Sequence, residues 1–382
     1  MKISRVTAYP LAAPLARPLY TAHEALRDST VVLVEVIAGE ISGYGIIHAS
    51  PVKTVCEWVE RLATAVIGMS ATAHEAVWDR LFSLTTPRPS AMFGTGGVIP
   101  PLPRSARAHI MAALGGIDIA LWDIKGKAAG IPVYRLLGGE NRPLRTYSTG
   151  GYYAQGGTLD QLAREFAGYI EAGYRAVKLK TGGLSLDEEV QRVAAVRQAI
   201  GPDAGLMLDL NAAYDVNECI AYAHAVEEYD ITWLEEPLHW QLQPTDYVRL
   251  AQAIGIPLAH GERELHRYTV RDFLTSGAIR YLQFDGTRAA GFTESLRVAQ
   301  LAEQHSVYVA PHHAPEIHGH LVAALPRVGY CVESHGNPER DPLAHELYTE
   351  RAAFRDGYIH LSDRPGFGLE INWGAVDRYK MK

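Results

Sequence analysis

The sequence is poor in cysteine, in long apolar runs and in positive charge. Three cysteines in 382 residues, Cys56, Cys219 and Cys331, are too few and too scattered for a disulfide framework or a thiolate metal site. They read as packing residues of a protein from a reducing cytoplasm. No segment reaches the roughly 18 uninterrupted apolar residues of a membrane span. The opening MKISRVTAYPLAAP lacks the apolar stretch of a signal peptide. Lys and Arg total 36 against 43 Asp and Glu, a net charge of -7, with no dense basic run. That balance argues against a nucleic-acid partner. What remains is 47% hydrophobic and 21% charged, the mix of a soluble, well-packed chain. Its length exceeds one ordinary core unless that core is a barrel.

The chain divides by texture. Residues 1 to about 50 read as strands, with TVVLVEVI at 30-37 rich in β-branched residues. From about 51 to 83, Val55, Val59, Leu62 and Val66 recur at helical spacing. A proline- and glycine-rich stretch at 85-104 is too long for a plain connector and reads as a lid or interface element. A long helix follows and ends at Gly130, before Pro132. Beyond it, eight short apolar runs alternate with helical stretches, the number that closes a (β/α)7-8 TIM-like barrel. The expected class is α/β. An α+β capping domain spans 1-126, the barrel 127-350, and a C-terminal segment at 351-382 returns to the cap or seals the barrel.

The ends of those runs carry the chemistry. Lys178 and Lys180 end the second run, Asp209 the third, Glu235 the fourth and Glu262 the fifth. Asp285, His312 and Glu333 end the last three. From Lys180 onward the gaps are 29, 26, 27, 23, 27 and 21 residues, each about one strand-helix unit. Equal spacing sets these side chains in one ring at the C-terminal mouth of the barrel. Three neighbouring carboxylates repel one another and so imply a cation. Hard oxygen donors without thiolates suit Mg²⁺, or Mn²⁺, better than Zn²⁺. Period two points Lys178 and Lys180 inward together, where each is expected to lower the other's pKa and free Lys180 as a base. Across the ring, Asp285 is placed to fix the tautomer of His312. A proton-transfer group on each side of a metal suits abstraction of a proton next to a carboxylate, with an enediolate to stabilise.

Taken together, GIDIALWDIKGKAAGIPVYRLLGG, AVKLK, LMLDLN, WLEEP, the GE after run five, QFD, PHH and PGFGLEIN resemble the enolase superfamily, within it the mandelate racemase group. The resemblance covers nearly the whole chain. It implies Asp209, Glu235 and Glu262 as metal ligands, Lys180 as a base with Lys178 beside it, and Asp285 and His312 as the dyad on the other face. It implies Glu333 as an acid toward the substrate carboxylate and Asn211 as a polar neighbour. Loops near 17-28 and around 50 would close over the mouth, offering Tyr20, His23, Arg27 and His48 to a substrate. Tyr152 and His313 are further candidates for the pocket wall. Glu236 reads as a structural partner, and His318 and His320 as capping or packing residues rather than a zinc site. His260, Phe284 and His313 depart from the usual pattern and touch the walls. The implied activity is dehydration of an acid sugar to a 2-keto-3-deoxy acid. Racemisation or epimerisation, and cycloisomerisation of a sugar lactone, use the same ring. The intact ring argues against a non-catalytic binding protein. The resemblance also implies a homo-oligomer, a dimer or octamer.

Overall fold

In the computed structural model, which describes residues 1-85 and 104-381, the chain begins with three antiparallel strands, β1 (Ile3–Tyr20), β2 (Ala25–Ala38) and β3 (Ile41–Ile47). All but the ends of the 85-104 stretch lies outside the described residues. Helices α1 (Val52–Ala63) and α2 (His74–Ser83) precede the long α3 (Arg107–Ala129), which is buried along most of its length. β3 can lie directly on α3 because Gly45 has no side chain. A Cβ there would meet Gly116 O at 2.1 Å. α3 ends where Gly130, at φ +70°, turns the chain out of the helix. The short α4 (Val133–Leu136) leads into the barrel.

Seven parallel strands follow in order: β4 (Leu144–Gly150), β5 (Ala176–Lys180), β6 (Gly205–Asp209), β7 (Ile231–Glu235), β8 (Leu258–His260), β9 (Tyr281–Leu282) and β10 (Tyr308–Val309). The eighth, β11 (Val332–Ser334), pairs in parallel with β4. Closure is completed just before β11, where Val309 N donates to Val328 O (2.8 Å) and Tyr330 N to Val309 O (2.9 Å). Between successive strands run α5 (Leu159–Glu171), α6 (Leu186–Ile200), α7 (Val216–Val226), α8 (Pro244–Ala253), α9 (Arg267–Ser276), α10 (Gly291–Gln304) and α11 (Pro315–Ala323). Capping boxes Thr158–Gln161 and Asp215–Glu218 start α5 and α7.

The barrel is filled below its mouth. Tyr147 on β4 meets Trp233 on β7 with ring centroids 5.6 Å apart, and Trp233 meets Tyr281 on β9 at 4.7 Å. Strands so far apart around the sheet touch only through its interior. Cys331 packs in this layer, and all three cysteines are buried and unpaired, as packing residues would be.

The C-terminal segment divides its contacts. The hairpin β12 (Ala353–Arg355) and β13 (Tyr358–His360) pairs antiparallel with the start of β4, on the barrel. The final helix α12 (Trp373–Tyr379) reaches the cap, where Met381 N donates to Pro10 O (2.9 Å).

His320 ties α4, α11 and the C-terminal segment together. Tyr134 N donates to its Nδ1 (3.1 Å), and Nε2 lies 3.3 Å from Phe367 O. A ring that accepts at Nδ1 is neutral, and burial pushes its pKa down to about 3. The unfolded chain takes up that proton near 6.5. Stability from this group is therefore complete above 6.5 and is lost as pH falls toward 3. Between pH 7.5 and 5.5 the loss is about 1.3 kcal/mol. His320→Gln is expected to shrink the urea-unfolding difference between those two pH values by about that amount. An unchanged difference would refute the assignment.

Candidate active site

Lys180, Asp209 and Glu235 stand side by side because β5, β6 and β7 pair in register there. Glu262 lies two residues past β8, beyond a turn that Gly261 makes at φ +137°. A Cβ at Gly261 would press within 2.9 Å of Phe284 N. The chain turns just as sharply after the other strand ends, at Asn211 (φ +45°), Glu236 (φ +41°) and His313 (φ +53°). Strained backbone is concentrated around this mouth.

Asp209, Glu235 and Glu262 are buried, and one oxygen from each lies within 4.8 Å of the others. Lys180 Nζ holds Asp209 Oδ2, Lys178 Nζ lies 2.6 Å from Glu235 Oε1, and Arg288 Nη1 lies 2.6 Å from Glu262 Oε1. The barrel floor anchors the middle acid. Trp233 Nε1 (3.2 Å) and Gln283 Nε2 (2.6 Å) both donate to Glu235 Oε2. Glu262 Oε2 is buried without a hydrogen bond among the described residues, although His312 Nε2 stands 3.3 Å away. Burial and the neighbouring Asp209 push Glu235 up to about 8 against the pull of Lys178. Glu262 is instead held low, because His312 and Arg288 outweigh its burial. Three buried hard oxygens, one lacking a partner and one pushed toward its neutral form, fit a divalent cation such as Mg²⁺ or Mn²⁺.

Burial alone would lower both lysines, yet protein neighbours raise them. Asp209 raises Lys180, and Glu235 and Glu333 raise Lys178. The mutual lowering expected of the pair exists for Lys180 but is outweighed by the adjacent carboxylate.

On the opposite face, Asp285 Oδ2 lies 2.8 Å from His312 Nδ1. Its Oδ1 accepts from Thr287 N (2.7 Å) and Thr287 Oγ1 (2.6 Å), which locks its orientation. Burial works against the Asp285 charge, but the bond to His312 holds it ionised. His312 is raised in turn, since Glu262, Glu333 and Asp285 overcome its own burial. These carboxylates favour the protonated ring, and its Nε2 faces Glu262.

Glu333 departs from the expected proton donor. Its Oε1 lies 2.9 Å from Lys178 Nζ, and its Oε2 accepts from His313 N (3.0 Å). Despite burial, Lys178 and His312 hold it well below the usual carboxylate range. It is an anionic acceptor here, not a standing acid.

These groups open on a cavity of about 1010 Å³. His23, His48, Tyr152, Asn211 and His313 line it. His23 Nε2 lies 2.9 Å from Ala212 O and His48 Nδ1 2.9 Å from Thr287 Oγ1, so two cap loops grip the barrel mouth. Tyr20 and Arg27 do not belong to the wall. Both are exposed, and the Tyr20 backbone exchanges hydrogen bonds with Tyr153 instead. Tyr20 ends β1 and Arg27 lies near the start of β2. Glu236 pairs with Arg263 (2.7 Å), and His318 Nε2 accepts from Gly286 N (3.1 Å). His260 packs against Tyr247, and Phe284 is buried in the core.

Several residues escaped the sequence reading. Gln283 and His335 lie two positions from Asp285 and Glu333, so strand periodicity could have flagged them. Arg288 and Asp341 sit in loops with no such signal. Asp341 Oδ2 holds His313 Nε2 at 3.2 Å and His335 Nδ1 at 3.0 Å.

Comparison with known proteins agrees over the whole chain. Residues 4–138 match the family described as "Mandelate racemase / muconate lactonizing enzyme, N-terminal domain", and residues 161–375 match "Enolase C-terminal domain-like". The D-galactarolactone cycloisomerase of Agrobacterium fabrum is 30% identical over 100% of this chain and 99% of its own. The D-galactonate dehydratase of Xanthomonas campestris pv. campestris is 31% identical over 99% of this chain and 94% of its own. Among solved structures, L-talarate/galactarate dehydratase of Salmonella typhimurium LT2 superposes with a TM-score of 0.86 at 26% identity. The match covers 100% of this chain and 92% of that one, and one structure of that enzyme is a variant liganded with Mg and L-glucarate.

Proposed function

Since the chain belongs to the mandelate racemase and muconate lactonizing enzyme family, we propose that it dehydrates an acid sugar to a 2-keto-3-deoxy acid. The observation that carries this is the flanked triad. Lys180 stands on one side of Asp209, Glu235 and Glu262, and the Asp285–His312 pair stands on the other. Asp209, Glu235 and Glu262 would hold Mg²⁺, which would supply the field that stabilises charge developing on the substrate carboxylate. With Asp209 committed to the cation, Lys180 would lose the partner that favours its proton.

In this reading Lys180 takes the proton from the carbon next to the carboxylate. Lys178 lies beneath it against Glu235 and Glu333 and fixes the acids around it. His312, charged and oriented by Asp285, gives its proton to the departing β-hydroxyl. The enol product tautomerises to the 2-keto acid. Glu333 keeps the His313 backbone and Lys178 in place. Asn211, His23, His48, Tyr152 and His313 face the hydroxyls.

The relative acting as a cycloisomerase over the full chain favours a second reading of the same site, in which a lactone ring oxygen leaves instead of water. A panel of mono- and diacid sugars and their lactones, assayed for 2-keto acid and for solvent deuterium at the α-carbon, decides. Deuterium exchange without keto product would transfer the assignment to a racemase or epimerase. Neither signal with any member would sink the proposal.

Chelation is expected to abolish turnover, and millimolar Mg²⁺ or Mn²⁺ to restore it. Full activity in EDTA-dialysed protein would contradict the triad's role. The same reading carries a homo-oligomer in the cytoplasm, which sedimentation and cell fractionation check. Among the described residues no helix is long and apolar enough to cross a membrane.

A further inference from the structure

Five lysine and arginine side chains among the described residues line the cavity, and four of them are paired. Lys180 is matched by Asp209, Arg263 by Glu236, Arg288 by Glu262 and Arg351 by Glu316. The fifth, Arg340, has no carboxylate within ion-pair distance among the described residues, and its Nε is buried with no hydrogen-bond partner there. The adjacent acid is already committed. Asp341 Oδ1 accepts from Ser29 Oγ and Ala344 N, and its Oδ2 serves His313 and His335. Arg340 is half-buried, and Tyr152, Asp341 and Glu333 favour its charge without a carboxylate pairing with it, so an arriving anion gains an unshared partner.

Its position says where that anion belongs. The Arg340 guanidinium carbon lies 4.4 Å from the Tyr152 ring centroid, and Lys180 Nζ lies 5.6 Å from the same centroid. Base and unpaired cation therefore stand against the same ring, no more than about 10 Å apart. That is the reach of a short sugar chain with an oxygen group at each end. A substrate whose first carboxylate lies at the triad delivers its far end to Arg340.

Resting on the acid-sugar reading above, we propose that Arg340 is the counter-ion for a second, distal carboxylate, so that the substrate is a diacid sugar or its monolactone. A monoacid would bring a neutral hydroxyl to the same place and leave the guanidinium unmatched. The planar fork of arginine suits bidentate capture of a carboxylate, which lysine reproduces only in part.

The test uses stereochemically matched pairs that differ only at the far carbon, galactarate with galactonate and glucarate with gluconate, in the presence of Mg²⁺. Affinity is measured by calorimetry in the Lys180→Ala background, and turnover in the otherwise native chain. The diacid of at least one pair is expected to bind about 100-fold more tightly than its monoacid. Arg340→Met should remove most of that preference and leave monoacid affinity within about threefold, with Arg340→Lys intermediate. Equal affinity for both members of every pair, or equal weakening of both by Arg340→Met, would overturn the inference. So would keto product from monoacids alone, an outcome that leaves the dehydration reading intact. A diacid preference that persists without keto product from any sugar would instead uphold the subsite and remove the dehydration.

Discussion

Lys180→Ala is expected to lower turnover by about 10⁴-fold, the upper end of what a positioned base contributes, and to abolish α-deuterium exchange with it. The geometry makes this variant informative because Lys180 has two separable roles. In the proposed reading it takes the substrate proton, and its ammonium also pairs with Asp209. If only the second role mattered, its loss would leave three acids with less compensation, and stability would suffer. Mg²⁺ changes that outcome, since removing the ammonium frees Asp209 to bind the cation. Affinity for Mg²⁺ should therefore be unchanged or higher in the variant, while catalysis collapses. Lys180→Arg adds the control. Its guanidinium keeps the charge beside Asp209 but cannot release a proton near neutral pH, so it should not restore exchange. Turnover of Lys180→Ala within tenfold of native would remove lysine from the base role. Retained exchange would pass the abstraction to His312.

How much of this was legible in the sequence depends on what each residue answers to. The ring was legible because strand ends recur at one unit's spacing, and a barrel converts equal spacing into a circle. The register that sets Lys180, Asp209 and Glu235 abreast follows from parallel pairing of three short buried strands. The loops were not legible in the same way. Tyr20 and His23 are three residues apart, yet only His23 lines the cavity, because the chain leaves β1 between them. Arg340 and Asp341 follow the last barrel strand in a stretch without periodicity, so neither pattern nor spacing pointed to them. The protonation balance was hidden for another reason. Lys178 and Lys180 are neighbours in sequence, but Asp209, Glu235 and Glu333 reach them only through the fold, and those partners reverse the expected direction. Glu333 shows the same effect. The family resemblance implied an acid toward the substrate carboxylate, and contact with Lys178 favours its anion.

His312→Asn separates the steps that Lys180→Ala removes together. His312 lies between Asp285 and Glu262, which favour its protonated form, and the proposed reading makes it the group that gives a proton. If its task is to protonate the leaving hydroxyl, its loss should cut keto-acid formation by about 10³-fold. Lys180 would still exchange the α-proton, so deuterium should enter recovered substrate at a rate within about tenfold of native. Asparagine keeps a polar group toward Asp285 and cannot serve as the acid, which limits collapse of the pocket. A racemase makes the opposite demand. There each base serves one stereoisomer, so His312→Asn would stop inversion while exchange survived from one epimer only. Loss of exchange along with product would mean that His312 takes the proton itself. In that case Lys180 is left to hold Asp209, and the two faces of the triad swap roles. Product formation and isotope exchange measured on the same variant therefore fix which face begins the reaction.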